Sequence, residues 1–165
     1  MTDRDDAAIL RHLVAGGVEF AVVGGWAVIA HGFVRFTADV DVLVADSEAT
    51  RSRVTEVLAT AGAVTVNGAQ VSAASVMPDQ GWQVNTRFGR VDVLLEGPPP
   101  LDLESVLAEA VSTELDGVPI RVAGLKHLRA LKRLAGRPRD LEDLIELEAL
   151  HGSLPDLPLP GIDQP

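Results

Sequence analysis

Cysteine is absent from the 165 residues, which removes disulfides, thiolate zinc sites and cysteine nucleophiles. Aromatic residues make up only 4%. A core must therefore be assembled from Val, Leu, Ala and Ile, and a surface that stacks single-stranded bases on exposed rings is disfavoured. Basic residues are scarce as well: 14 Lys and Arg stand against 24 Asp and Glu, a formal net charge of -10. Broad, sequence-independent contact with nucleic acid needs the opposite sign, since it depends on Lys and Arg displacing counterions. A nucleotide remains within reach of an acidic chain if a divalent cation neutralises its phosphates. No apolar run has the length of a membrane span, about 18–20 residues, and the acidic start Met1-Thr2-Asp3-Arg4-Asp5-Asp6 is unlike a signal peptide. The expected location is the cytoplasm, with no membrane partner.

What is present is an ordinary globular composition, 47% hydrophobic and 23% charged, in a length that suits one domain with at most a small appendage. Ile9, Leu10, Leu13 and Val14 repeat at helical spacing within residues 5–16, and Gly16-Gly17 ends the run. Residues 18–23 read as a buried strand broken by Gly24-Gly25, and 26–30 as a short apolar helix. Residues 39–44 have strand chemistry. Asp46-Ser47 offers a cap for a helix running to Ala61. Residues 63–80 read as strand and loop, 82–88 and 90–95 as two strands joined tightly at Gly89.

Gly97-Pro98-Pro99-Pro100 is neither helix nor central strand. A helix (102–111), a hairpin across Asp116-Gly117, a helix from Leu125 to Ala135 and another from Pro138 to Leu150 are expected after it. The last fifteen residues hold four prolines and read as a disordered tail or extended arm. No internal repeat is present. The expectation is an α/β (α+β) fold: a mixed sheet with flanking helices over residues 1–97, a helical part over 98–150 packed against it, and a loose tail over 151–165.

Asp39 and Asp41, two apart on a strand, leave the same face, while Val40 and Val42 leave the other toward a core. Two ionised acids side by side repel unless they are solvated, one is protonated, or a cation sits between them. Val91-Asp92-Val93 repeats the pattern. A third carboxylate delivered to the same face completes a site for hard divalent ions, which activate an attacking hydroxyl and steady the leaving oxygens of a phosphoryl-type displacement. Gly24-Gly25 follows a strand and opens a helix, a place where a phosphate can approach bare backbone. Other motifs fail on spacing. The glycines lack both G-x-G-x-x-G and G-K-[ST]. An EF-hand loop beginning at Asp39 finds Leu43 at its third ligand position and Val44 where Gly is required.

Val23-Gly24-Gly25, thirteen intervening residues, Asp39-Val40-Asp41-Val42 and, later, Val91-Asp92-Val93 resemble the signature of the DNA polymerase beta-type nucleotidyltransferase superfamily. Gly24-Gly25-Trp26-Ala27 and Arg35-Phe36-Thr37-Ala38-Asp39-Val40-Asp41 are closer still to small bacterial nucleotidyltransferases related to AbiEii-type toxins and to antibiotic nucleotidyltransferases. Leu125-Lys126, Lys132 and the run Ala135 to Leu144 resemble the helical end of the same proteins. The resemblance implies an enzyme that moves a nucleoside monophosphate from a nucleoside triphosphate, ATP among them, to a hydroxyl of a small molecule, protein or RNA.

It implies Mg²⁺ or Mn²⁺ on Asp39, Asp41 and Asp92, the last also serving or assisting as base. It assigns nucleotide contacts to Gly24 and Gly25, with Lys126 or Lys132 reaching the phosphates. Arg35, Thr37 and Asp140 are further candidates for nucleotide binding, although Arg35 equally reads as the partner of an acid and Thr37 and Asp140 as structural. Many members carry Ser where this chain has Gly25. The alternative implied function is a catalytically weak nucleotide-binding or interaction component of a toxin–antitoxin-like system, with a cognate partner protein. His12, His31, His127 and His151 lack metal spacing and read as structural. Trp26 reads as core, and Trp82 and Arg87 as possible acceptor contacts.

Overall fold

A computed structural model describes residues 3–159 and 161–163. Helix α1 (Asp6–Ala15) begins on Asp5, whose side chain accepts from the Ala8 amide, and buries Ile9, Leu10 and Leu13. Strand β1 (Ala21–Val23) runs directly into α2 (Gly24–Ala30), so the helix starts on the glycine pair and not after it. Strand β2 (Val40–Val44) is followed by α3 (Glu48–Thr60), capped by Ser47. The mixed stretch after α3 supplies only the two-residue β3 (Val64–Thr65) and irregular loop. Strands β4 (Trp82–Thr86) and β5 (Gly89–Leu95) form the expected hairpin. Helix α4 (Leu103–Ala108) ends three residues short of expectation, because Val111 already belongs to a strand.

Strands β6 (Val111–Leu115) and β7 (Val118–Val122) turn at Asp116-Gly117, where both residues have positive φ (47° and 80°). That is the left-handed pair a two-residue hairpin turn demands. Helices α5 (Leu125–Ala135) and α6 (Pro138–His151) follow, separated by Gly136 in the left-handed region at φ 60°.

All seven strands form one mixed sheet in the order β3-β4-β5-β2-β1-β7-β6. Strand β7 joins β1 in parallel, so the sheet continues across the Gly97–Pro100 punctuation. Val40, Val42, Val44, Val91 and Val93 point into the larger core, which α1 and α3 cover. On the opposite face Ala21, Val23 and Leu43 pack with Leu103, Val106 and Leu107 of α4. The pleat thus puts Asp41 and Asp92 on the α4 and α5 side.

The segment after α6 departs from the loose tail that its prolines suggest. Leu154, Leu157 and Leu159 are buried, the last two against Ala130 and Leu101. Asp156 pairs with Arg129, and Asp163 with Arg133 at 2.8 Å. Proline fixes the chain in an extended form without preventing leucines from packing, so the prolines report shape and the leucines report burial. Positions 160, 164 and 165 of that expected tail, and Met1 and Thr2, lie outside the described residues. Among the described residues no helix is long and apolar enough to cross a membrane.

Candidate active site

Three acids meet where three strands meet. Strand β2 lies parallel to β5 with Asp41 directly opposite Asp92, and antiparallel to β1 with Asp41 opposite Val23. Asp39 stands two residues before Asp41. One carboxylate oxygen from each of Asp39, Asp41 and Asp92 lies within 4.8 Å of the others. A parallel register of apolar strands, in which Val40 pairs with Val91 and Val42 with Val93, delivers this cluster.

The price of that convergence is visible in the proton affinities. Burial, followed by the charges of Asp39 and Asp92, pushes the Asp41 carboxyl up to about 7. Asp92 is also raised, by burial and by Asp39, with Arg90 opposing. Three partly buried carboxylates with a single arginine among the described residues, Arg90, in contact with them fit a hard divalent cation, which takes carboxylate ligands and leaves room for phosphate.

Two neighbours that the sequence did not single out hold these acids. Arg90 Nε donates to Asp92 Oδ1 at 3.3 Å and stands 3.6 Å from Asp39 Oδ2. Gln83 Nε2 donates to Asp92 Oδ2 at 3.2 Å. The signal was available: Arg90 lies two residues before Asp92, and alternate strand residues share a face.

The glycine pair is required for a reason different from the one its spacing suggests. Gly24 has φ +66°, and a Cβ there would lie 2.0 Å from Asp41 Oδ2. A Cβ on Gly25 would lie 2.5 Å from Thr37 Oγ1. The missing side chains therefore admit Asp41 and Thr37 of the protein itself. Thr37 is buried, and its hydroxyl donates to the Asp39 carbonyl, bracing the approach to β2.

Behind the turn runs a chain of alternating charges. Arg35 donates to both carboxylate oxygens of Asp143 at 2.7 and 2.8 Å. Lys132 Nζ donates to Asp143 at 2.8 Å and Asp140 at 3.1 Å. Arg137 donates to Asp140 through Nε at 2.7 Å and through its backbone amide. Lys132, Asp140 and Asp143 are each at most 5% exposed. Burial acts to raise the Asp140 carboxyl, but hydrogen bonds from Arg137 and Lys132 outweigh it and hold that group low. The network ties the segment before β2 to α5 and α6. Lys132 nonetheless lines a 110 Å³ cavity with Gly24, Asp41 and Arg137.

Arg137, 73% exposed in its side chain, also faces a second, open cleft of about 790 Å³. That cleft runs from Asp41 and Asp92 along β4 to the loop 65–81, with Asn67, Gln70, Gln80, Gln83 and Trp82 in its walls. Arg137 is thus a second cation, beside Lys132, that borders the acids, and its place was not expected from the sequence.

The remaining candidates separate. Lys126 pairs with Glu109 at 3.2 Å near the start of α5 and lines neither cavity. Arg87 donates to the Thr60 carbonyl and lies over Phe88, away from the cleft that Trp82 lines. Trp26 donates to Asp6. All four histidines face backbone carbonyl oxygens through Nε2.

No protein-family model and no curated protein sequence matches the chain. Solved structures do. An antigenic nucleotidyltransferase-like protein from Paracoccidioides brasiliensis superposes with a TM-score of 0.62 at 17% identity, over 88% of this chain and 74% of its own. ANT(2")-Ia, solved in complex with adenylyl-2"-tobramycin, gives 0.59 at 13% identity, over 87% and 86%. A putative nucleotidyltransferase from Thermotoga maritima gives 0.53 at 14% identity, over 87% and 90%. The mixed α/β architecture of this chain is the fold of nucleotidyltransferase-like proteins, and the acid cluster sits within it.

Proposed function

We propose that this chain is a divalent-metal-dependent nucleotidyltransferase that transfers a nucleoside monophosphate from a nucleoside triphosphate to an acceptor hydroxyl. The observation that carries this reading is the convergence of Asp39, Asp41 and Asp92 within 4.8 Å in this fold. These three residues would hold Mg²⁺ or Mn²⁺, which when bound supplies charge neutralisation on the phosphates and at the attacking and leaving oxygens.

Asp92, whose carboxyl is raised by burial and by Asp39, takes the proton of the acceptor hydroxyl. The hydroxyl oxygen then forms its bond to the α-phosphorus, the bond from that phosphorus to the bridging oxygen breaks, and pyrophosphate leaves with the electron pair. We also place the backbone of Gly24 and Gly25, at the first turn of α2, beside the phosphates. Arg137, facing both cavities, contacts them as well. Arg35, Lys132, Asp140 and Thr37 position the turn and the helices; we assign Lys126 no contact.

The 790 Å³ cleft is the acceptor side. Its walls carry amides and the carboxylates of Asp41 and Asp92, with Arg137 as the cation among its lining residues. Such a surface suits a hydroxyl-rich, uncharged or cationic small molecule better than a polyanion such as RNA. An aminoglycoside-like acceptor, the kind of compound held by ANT(2")-Ia, meets that description, and we place the reaction in the cytoplasm with ATP among the donors. A second reading, the interaction component of an AbiEii-like toxin–antitoxin pair with a partner protein, draws support from the apolar residues Leu141, Ile145 and Leu150 exposed along α6.

Calorimetric titration of each of the four nucleoside triphosphates, with Mg²⁺ and with EDTA, tests the first reading. Binding that needs the metal and disappears in Asp39→Asn/Asp41→Asn supports it. Absence of binding to every nucleotide in the wild type rejects it in favour of the interaction reading.

A further inference from the structure

Arg90 is the one cation, among the described residues, in direct contact with the acid cluster. Its Nε lies 3.3 Å from Asp92 and 3.6 Å from Asp39, between two of the three carboxylates proposed to hold metal. The contact follows from topology. Val40 of β2 pairs with Val91 of β5, so one step back along both strands sets Asp39 beside Arg90 on the same face as Asp92. Lys132 and Arg137 are committed to Asp140 and Asp143 instead. Asp92 is engaged at both oxygens, by Arg90 and by Gln83. A cation entering between Asp39 and Asp92 therefore meets a guanidinium already there. The Arg90 side chain is 41% exposed, so it has solvent into which to withdraw.

We propose that Arg90 is a tethered counterion that occupies the space between Asp39 and Asp92 in the metal-free protein and competes with the divalent ion for it. This rests on the metal reading of the three acids. The consequence is selective. A free divalent ion has to displace the guanidinium with only carboxylate ligands in return, whereas an ion arriving on a triphosphate brings further oxygen ligands and negative charge that the withdrawn guanidinium can face. Arg90 thereby sets the affinity for metal alone low and leaves the metal-nucleotide complex as the form that binds.

The test is Mn²⁺ affinity in the absence of nucleotide, read by calorimetry and by the loss of free-ion paramagnetic resonance signal. The proteins are wild type, Arg90→Gln, Arg90→Lys and Asp39→Asn. Arg90→Gln removes the competing charge and is expected to tighten Mn²⁺ binding about tenfold, the equivalent of about one to two ion-pair contacts no longer broken. Arg90→Lys keeps the charge and is expected to stay within about threefold of wild type, the range open to a strand-face ammonium of different shape.

A guanidinium that merely props Asp92 in place predicts the reverse, weaker Mn²⁺ binding in Arg90→Gln. That result, or an unchanged affinity, overturns the proposal while leaving the metal site standing. If neither wild type nor Arg90→Gln binds Mn²⁺, the metal reading and this proposal fall together. Thermal melting in EDTA provides the second readout. Arg90→Gln should melt lower than wild type without metal and gain more on adding Mn²⁺, and equal gains count against the idea.

Discussion

Asp41→Asn should stabilise the metal-free protein at neutral and alkaline pH. In the fold the Asp41 carboxyl titrates at about 7, against an ordinary 3.8, because burial and the charges of Asp39 and Asp92 penalise its ionised form. The sign follows from proton binding. Between these two values the folded state holds a proton that the unfolded state has lost, so stability falls as pH rises through that window. The raised Asp92 carboxyl acts in the same direction.

Fully converted, the Asp41 displacement corresponds to roughly 4 kcal/mol. The side chain borders an open cleft where water and salt screen part of it, and we expect about 2 kcal/mol to be recovered by Asp41→Asn above pH 7. For a chain of this length that is a rise in Tm of about 4–8 °C. The assay is thermal unfolding in EDTA from about pH 5 to pH 8. The gap between variant and wild type should be widest at the alkaline end and narrow toward the acid end. Added Mg²⁺ or Mn²⁺ together with a nucleoside triphosphate should close it from the wild-type side, since only the wild type keeps all three ligands. A variant that melts at or below wild type at pH 8, or a gap indifferent to pH, refutes the electrostatic argument.

Gly25→Ser places a Cβ 2.5 Å from Thr37 Oγ1 and should cost about 1–3 kcal/mol by overpacking. Urea unfolding of Gly25→Ser with and without Thr37→Ala checks the cause, because removing the hydroxyl should recover part of the loss, the Thr37 Cβ at 2.8 Å accounting for the remainder. Lys132→Met leaves Asp140 and Asp143 buried with half their partners and should destabilise by about 3–5 kcal/mol, measurable by the same unfolding. Arg137→Ala should cost at most about 1 kcal/mol of stability, since the side chain is exposed and the Asp140 contact from the backbone amide survives. It should raise the KM for the nucleoside triphosphate at least about tenfold if the guanidinium grips phosphate, and an unchanged KM removes it from the site.

The acids were legible because their chemistry is local. Val40, Val42, Val91 and Val93 announce strands, and strand alternation alone puts Asp39 with Asp41. That Asp92 meets them depends on β2 and β5 pairing in parallel across some fifty residues, which no local pattern carries; it came from the resemblance. The helices were legible from caps and period, as Ser47, Gly136 and Pro138 show. The resemblance offered Lys126 or Lys132 for the phosphates, and of the two it is Lys132 that lines a cavity with Asp41. Lys126 sits six residues, about 9 Å of helix, from Lys132, beside Glu109. Arg137 is bonded to Asp140 at the start of α6, yet its exposed end faces both cavities. Membership in a structural network did not exclude a place at the site.

The same limit appears in the glycine pair, and it changes how the signature should be understood. Bare backbone after a strand suggests a phosphate as the close neighbour. Here the close neighbours are Asp41 and Thr37, so substituting either glycine disturbs the carboxylate cluster or its brace before any nucleotide arrives. Gly24 and Asp41 are thus one unit: a positive-φ residue where β1 passes into α2 and an acid on β2 that fit only together. An alanine at position 24 would meet both the left-handed backbone, at about 1 kcal/mol or more, and the Asp41 oxygen at 2.0 Å. The thirteen-residue spacing between glycine pair and acids then reflects the path from α2 to the adjacent antiparallel strand. The acids, the turn and Arg90 are held by one strand register, and the chemistry proposed for them depends on that register before it depends on any single side chain.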